Sequence, residues 1–360
     1  MPRKRALWAS TSTRTQGGVA TYVVAMQQTP LWKDWDIRHV ATHRDGTRWS
    51  KLAAFARGAA LFVIELIRFR PHVIHLHSSA NASFVRKCVL FWIARLTGTP
   101  TIVHMHGSSF ADYYATSAPP LRAVIRATLS RSSAVVALGE SWRARLCTIA
   151  PAARVVAIPN GVALGRPVAQ QPKTGEPVRV VFLGRIGEHK GTFVLLDAWA
   201  KLARELQTES GRPRATLTIA GDGEVDRARQ WVEDLCLEDT VTVHGWLPHN
   251  EVDDLLDHGH VLVLPSRNEG QPMAVLEAMA RGLCVIASAV GGLGDMIGDG
   301  SGLIVPPDDV EELVAALRQA VFDDDERTRH GVAAYTRVQH EFDSRIVAQR
   351  VDSLYRELVR

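Results

Sequence analysis

Short runs of Val, Ile, Leu and Ala, almost unbroken by charge, alternate along the chain with longer stretches whose apolar residues recur at helical spacing. In the first half the apolar runs predict strands at 5–10, 36–42, 72–77, 101–106, 134–139 and 155–160. Helices are predicted at 19–28, 52–68, 82–96, 121–130 and 141–149. The rhythm breaks at 163–178, a stretch rich in Pro, Gly and Gln with no apolar period, which reads as a linker. It restarts with strands at 179–184, 215–221, 240–245, 260–266, 284–288 and 302–306, with helices between them. Three helices are expected to finish the chain, the last near 344–358.

Continuous rather than alternating apolar strands mark parallel sheets covered by helices on both faces. The pattern therefore predicts an α/β protein of two Rossmann-like, doubly wound parallel-sheet domains. The expected boundaries are 1–165 for the first domain, 166–177 for the linker and 178–342 for the second. A last helix, 343–360, is expected to pack back on the first domain. In open α/β sheets a ligand sits beyond the carboxyl ends of the strands, so two facing domains would share one ligand in a central cleft.

A length of 360 residues agrees with two cores. Apolar and charged fractions of 46% and 22% describe a soluble globular protein. A net charge of +4 is too mild and too dispersed to indicate nucleic acid, and suits phosphates or an anionic membrane face. Cys88, Cys147, Cys236 and Cys284 form no Cys-x-x-Cys pair and are expected as buried small hydrophobes in a reducing cytosol. The basic start MPRKRALWAS lacks the apolar run of a signal peptide. The longest apolar stretch, 52–67, is broken by Arg57 and Glu65 and reads as a helix of a cytoplasmic protein rather than a membrane span.

The polar residues at strand ends carry the chemistry. After the first strand, Gly17 and Gly18 open a helix, which either lets a backbone amide approach a phosphate or sugar or simply makes a tight turn. The G-x-G-x-x-G dinucleotide fingerprint is absent, which argues against an NAD enzyme. Two strands end in His-x-His, His75/His77 and His104/His106, and residues two apart on a strand share a face. Four such imidazoles suit a metal in principle, yet no Asp-rich or Cys-rich motif accompanies them. His75 and His104 are expected in the core, whereas His106, followed by Gly107 and the polar segment GSSFADYY, is expected to face the cleft. In FLGRIGEHKGT, Arg185 and Lys190 flank a turn and a helix start, either as a diphosphate clamp or as a solvated basic loop. Glu269 lies in the turn after the strand HVLVLPS, ahead of a helix starting near Pro272, and Glu277 lies one to two turns inside it. The amides around 274–276 would be free to face an anion.

Together these motifs resemble the retaining glycosyltransferases of family 4, with the GT-B fold of two Rossmann-like domains, over essentially the whole chain. EGQPMAVLEAMARGLCVIASAVGG matches the family's Glu-rich donor motif, and FLGRIGEHKG its phosphate motif. IPNGV and IAGDGE match further segments, while HLHSSANASFVRK and IVHMHGSSFADYY look like the subset that builds exopolysaccharides and other surface glycans. The resemblance implies that Arg185 and Lys190 hold the donor diphosphate and stabilise it as it leaves. Glu269, aided by the amides of Gly270 and Gln271, would hold sugar hydroxyls, and Glu277 the ribose. Leu276, Gly17 and Gly18 would join the donor site, with base contacts near Gly245 and Trp246. His106 would line the reacting centre. Phe110, Tyr113 and Tyr114 are expected to line the acceptor cleft. No cofactor is implied beyond the nucleotide sugar as co-substrate, and no metal, in keeping with the missing Asp-x-Asp motif.

Family members of this subset often act on polyprenyl-linked sugars at the membrane. Arg68, Arg70, Arg86, Lys87 and Arg95 would give the first domain a basic face for anionic lipid, or merely a solvated helix surface. A nucleotide-sugar 2-epimerase shares the architecture and is the alternative enzyme; a catalytically silent binding scaffold is the non-enzymatic one. A metal hydrolase built on the histidine pairs is the outlier. Glu269 as a covalent nucleophile is a minority mechanism.

Overall fold

The computed structural model describes residues 4–207, 211–298 and 300–359. The chain folds into two compact units, one formed by Met1–Val162 with Phe342–Arg360 and the other by Ala163–Glu341. The first sheet holds β1 (Ala6–Ser10), β2 (Arg38–Ala41), β3 (Val73–Ser78), β4 (Thr101–Met105), β5 (Ala134–Ala137) and β6 (Val155–Ala157). Its strand order is β2-β1-β3-β4-β5-β6, and every pairing is parallel. The second holds β7 (Val178–Leu183), β8 (Ala215–Ala220), β9 (Val241–His244), β10 (Val261–Leu264), β11 (Cys284–Ser288) and β12 (Leu303–Val305). Its order is β12-β11-β10-β7-β8-β9, again all parallel.

Central strands are buried along their whole length, as β1, β3, β4, β10 and β11 show, because helices cover both faces. That is why their apolar runs are continuous and legible without alternation. Two short helices escape the apolar period: Pro30–Asp34 and Phe110–Thr116, the latter beginning inside the polar segment GSSFADYY.

The stretch after Val162 is strapped to the second unit. Gly165 N–H donates to Ala280 O at 3.1 Å and Val168 N–H to Arg281 O at 2.8 Å. The fully buried Arg327 donates to Gln170 O at 2.9 and 2.8 Å. The last helix, Ser344–Leu358, belongs to the first unit. Its buried Tyr355 hydroxyl accepts from Trp8 Nε1 at 2.8 Å, and Asp352 accepts from Trp35 Nε1 at 2.7 Å.

Two expectations are corrected. Cys236 is exposed in a turn at φ 54°, so it is no buried hydrophobe, while Cys88 and Cys284 are buried and Cys147 is half-buried. Lys87 is 2% exposed and Arg86 half-buried, so neither contributes to a basic outer face; Arg68, Arg70 and Arg95 remain exposed. No helix among the described residues is long and apolar enough to cross a membrane.

Candidate functional site

In the second unit the sheet changes direction between β7 and β10, with β8 and β9 on one side and β11 and β12 on the other. Loops leaving the carboxyl ends of such a pair splay apart and open a crevice. Here glycine controls how closely they approach. A Cβ at Gly191, whose φ is 70°, would lie 2.0 Å from Pro265 O. The bare backbone lets the loop after β7 lie against the loop after β10, and it delivers Lys190 from the turn Glu188–Lys190. Lys190 Nζ reaches Glu269 Oε1 at 2.5 Å. Ser266 Oγ donates to the same oxygen at 2.8 Å. Glu269 is 5% exposed, and with both contacts on Oε1, Oε2 is left to accept from a ligand. From behind, Gly292 N–H donates to Glu269 O at 3.3 Å.

The two cations of the FLGRIGEHKG segment are placed differently. Lys190 is locked to Glu269, whereas Arg185 is largely exposed, with Asp222 Oδ2 at 3.7 Å. The IAGDGE turn holds that loop: Ile186 N–H donates to Asp222 O at 2.6 Å and Gly184 N–H to Ala220 O at 3.1 Å. Gly245, just past β9, accepts from Gly221 N–H at 3.2 Å, and Trp246 beside it is 53% exposed.

Gly270 and Gln271 are buried and lead through Pro272 into the helix Met273–Met279. Leu276 is fully buried and its N–H points to Pro272 O at 3.4 Å. That corrects its expected place facing a ligand: its amide is already spent within the helix. Glu277 is half-buried. Burial pushes its carboxyl up, His249 and Arg281 pull it back, and Asp253 adds to the rise. Arg281 is held by Asp253 and Asp257, both at 2.5 Å, and donates to Glu277 O at 3.2 Å.

In the first unit β3 and β4 pair with His77 opposite His104. His75, His77 and His104 are at most 2% exposed. A directional chain runs through them. The Trp8 indole can only donate and does so to the Tyr355 oxygen; the phenol's own proton then has its acceptor in His75 Nδ1 at 2.6 Å, which directs that bond from phenol to imidazole. His75 then carries its proton on Nε2 and donates to His104 Nδ1 at 3.2 Å. One nitrogen each of His75, His77 and His104 lies within 4.8 Å of the others, the spacing a metal would use. The chain just traced engages both nitrogens of His75. His106, half-buried, receives His77 Nδ1 against its Nε2 at 3.0 Å and stacks on His104 at 4.1 Å. Burial lowers its pKa to about 3, with a hydrogen bond to Asn160 opposing the shift, so His106 is neutral near pH 7.

Phe110 is 1% exposed and packs on Phe84 with ring centroids 5.2 Å apart. It is a core residue, which corrects its expected place in an acceptor cleft. Tyr113 and Tyr114 are half-buried against the same cluster. Sequence reasoning missed Ser266, three residues before Glu269, and the Trp8–Tyr355 pair that sets the histidine tautomers. The Ser-x-x-Glu spacing was a usable signal for the first; nothing local signalled the second.

Comparison with known proteins follows the same two-unit division. Residues 8–161 match the model for the glycosyl transferase 4-like domain and residues 168–337 that for glycosyl transferases group 1. A glycogen synthase of Mycobacterium tuberculosis is 34% identical over 210 residues, covering 56% of this chain and 48% of that one. A protein of Escherichia coli described as "Putative colanic acid biosynthesis glycosyltransferase WcaL" is 29% identical over 240 residues, 63% and 57% of the two chains. The chain spans about half the length of the curated relatives it matches. Among solved structures, sucrose-phosphate synthase from Thermosynechococcus elongatus superposes with a TM-score of 0.83 at 22% identity, covering 99% of both chains. HepE from Anabaena, in complex with UDP-glucose, gives 0.73 at 17% identity over 98% and 99%. These structures share the GT-B fold of paired parallel-sheet domains. With both halves matched in order, the chain belongs to the glycosyltransferases, a 4-like domain followed by a group 1 domain.

Proposed function

We infer that this chain is a retaining hexosyltransferase, moving a hexose from a UDP- or GDP-linked donor to a glycan or polyprenyl-linked sugar in surface-polysaccharide assembly. The observation that carries the reading is the Lys190–Glu269 pair at the switch point of the second sheet. Glu269 Oε2 and the amides of Gly270 and Gln271 would take donor-sugar hydroxyls, Glu277 the ribose, and Gly245 with Trp246 the base. The UDP-glucose bound to HepE and the colanic acid role printed for WcaL support the donor and product classes.

As the bond from the sugar's anomeric carbon to the diphosphate breaks, negative charge grows on the leaving oxygens. Lys190 and Arg185 stabilise that charge more in the transition state than in the ground state. The acceptor hydroxyl attacks from the face the diphosphate leaves. Its proton passes to the departing phosphate oxygen, and configuration is retained. His106, being neutral, donates or accepts a hydrogen bond at the sugar without adding charge. Trp49, Leu52, Ile64 and Ile67 leave an apolar stripe exposed along the helix Arg48–Arg68, with Arg68 and Arg70 at its end. This supports peripheral contact with an anionic membrane, placed at the cytoplasmic face.

Thermal unfolding with UDP, GDP, ADP and NAD, each added separately, tests the reading. A ligand at about a hundred times its dissociation constant stabilises by roughly 2.7 kcal/mol, a shift of a few degrees. One nucleoside diphosphate is expected to shift the wild type and not Lys190→Ala. A shift with NAD alone, or epimerisation of a nucleotide sugar without any acceptor, would replace the reading.

A further inference from the structure

The first unit has a switch point of its own, between β1 and β3, and a cleft of about 240 Å³ opens there. Of its lining, the sequence assigned only Gly17 and Gly18 to the donor site. Apart from Val19 the remaining lining is polar, and it includes His77 from β3, Ser79 and Ser83 beyond it, and the cations Arg86 and Lys87 from the helix Ala82–Arg95. One carboxylate, Asp45, lines the cleft, and it accepts from Gln16 N–H at 3.0 Å.

Three independent features ask for an anion. Lys87 is 2% exposed, its Nζ donates to Thr42 Oγ1 at 2.6 Å, and it makes no salt bridge among the described residues. An ammonium has three protons to place, and burying its charge without a counterion is costly. Burial, with Arg86 adding to it, lowers the Lys87 pKa to about 7. Next, His77 Nε2 is buried without a hydrogen-bond partner, and so is Arg86 Nε. Finally, the helix Gly18–Gln27 starts at the cleft behind Gly17, with φ 128° and no side-chain cap; Ala20 N–H already donates to Gly17 O at 3.0 Å, which leaves the amides of Gly18 and Val19 to face a ligand.

A phosphoryl group answers all three. Its charge suits Lys87 and Arg86, and its several acceptor oxygens match the amides, the serine hydroxyls and the Nε2–H of a neutral His77 whose Nδ1 meets His106. We propose that this cleft binds a phosphoryl group carried by the acceptor, so that the acceptor is a sugar phosphate or a sugar on a lipid diphosphate. The word acceptor rests on the glycosyl-transfer reading. The position fits it: His77 lines the cleft with one edge and meets His106 with the other, so the anion sits one imidazole from the residue assigned to the reacting centre.

The probe is inorganic pyrophosphate, followed by thermal unfolding of the full chain in a Lys190→Ala background, which removes the donor diphosphate site. Pyrophosphate is expected to raise the Tm of Lys190→Ala by a few degrees. The shift should vanish when Lys87→Met is added and shrink with Arg86→Gln. Lys87→Met replaces a buried ammonium by an apolar side chain of similar length and should fold; Arg86→Gln, at a half-buried position, serves if it does not. No shift in Lys190→Ala, or an undiminished shift in both double variants, overturns the proposal. Nucleoside diphosphate binding to Lys87→Met keeps the two readings apart. If no nucleotide binds the wild type but the pyrophosphate shift still depends on Lys87, the anion cleft stands and glycosyl transfer falls. Competition against pyrophosphate then separates the sources. A soluble sugar 1-phosphate competing identifies the first class. Zwitterionic vesicles competing only when they contain a polyprenyl phosphate identify the second. Competition by neither removes the acceptor assignment.

Discussion

Replacing Lys190 by Met separates what the Lys190–Glu269 pair does for the fold from what it does for the reaction. The Glu269 side chain is 7% exposed and that of Lys190 23%, so this is a largely desolvated pair. Removing one member of a fully buried pair costs roughly 3–5 kcal/mol, because the other charge is stranded. Water can follow the lysine's exposed quarter, and Ser266 still donates to Glu269, so the expected cost here is about 1–3 kcal/mol. For a unit of this size each kcal/mol lowers Tm by about 2–4 °C. Lys190→Met/Glu269→Gln strands no charge and should recover stability to within about 1 kcal/mol of wild type. Turnover should behave oppositely. Loss of one charge that acts on the leaving group costs about 10²–10³ in kcat, and the double variant, lacking both groups, should not regain it. The assays are chemical denaturation and release of nucleoside diphosphate from the donor identified by thermal shift. An unchanged Lys190→Met stability, or a double variant that turns over near the wild-type rate, would refute the reasoning.

Gly191→Ala should destabilise the second unit by more than about 1 kcal/mol, since its Cβ would meet Pro265 O at 2.0 Å and its φ is 70°; denaturant midpoints measure it. His75 and His106 are held down to about 3 and His77 and His104 well below their usual range, chiefly by burial. Their unfolded forms take up protons first, so stability should be full above about pH 6.5 and fall as pH drops towards 3, by up to ~1.4 kcal/mol per pH unit for each histidine. A flat Tm between pH 6.5 and 5, above most carboxylate titration, would contradict this. Tyr355→Phe leaves the Trp8 indole N–H without its acceptor and should cost about 1–3 kcal/mol, read by thermal unfolding. In the folded protein a maleimide should label Cys236 well before Cys88 or Cys284, the last pushed up to about 12 by burial; mass spectrometry of the peptides decides it.

The central strands of both parallel sheets could be read from local apolar runs, because a strand covered on both faces leaves an unbroken apolar signature wherever it lies, while edge strands such as Arg38–Ala41 and Val241–His244 are half exposed and were read from their β-branched residues and flanking turns. The glycines and carboxylates of the second unit were legible as motifs for the same reason, each lying within a dozen residues of a strand end. One signal was present but overlooked: Phe84, Lys87, Cys88 and Phe91 fall on one stripe of their helix, so its period already pointed Lys87 inward. The partnerships were decided only in three dimensions. Lys190 and Glu269 are 79 residues apart, and Trp8 and Tyr355 are 347 apart. Whether such residues meet depends on strand order and on which face a helix returns to, and neither is encoded in any local period. The same holds for Phe110, whose aromatic ring reads alike in a cleft or a core until its neighbour Phe84 is in place. Local chemistry set what each residue is able to do; packing, by removing water and choosing partners, set which of them do it.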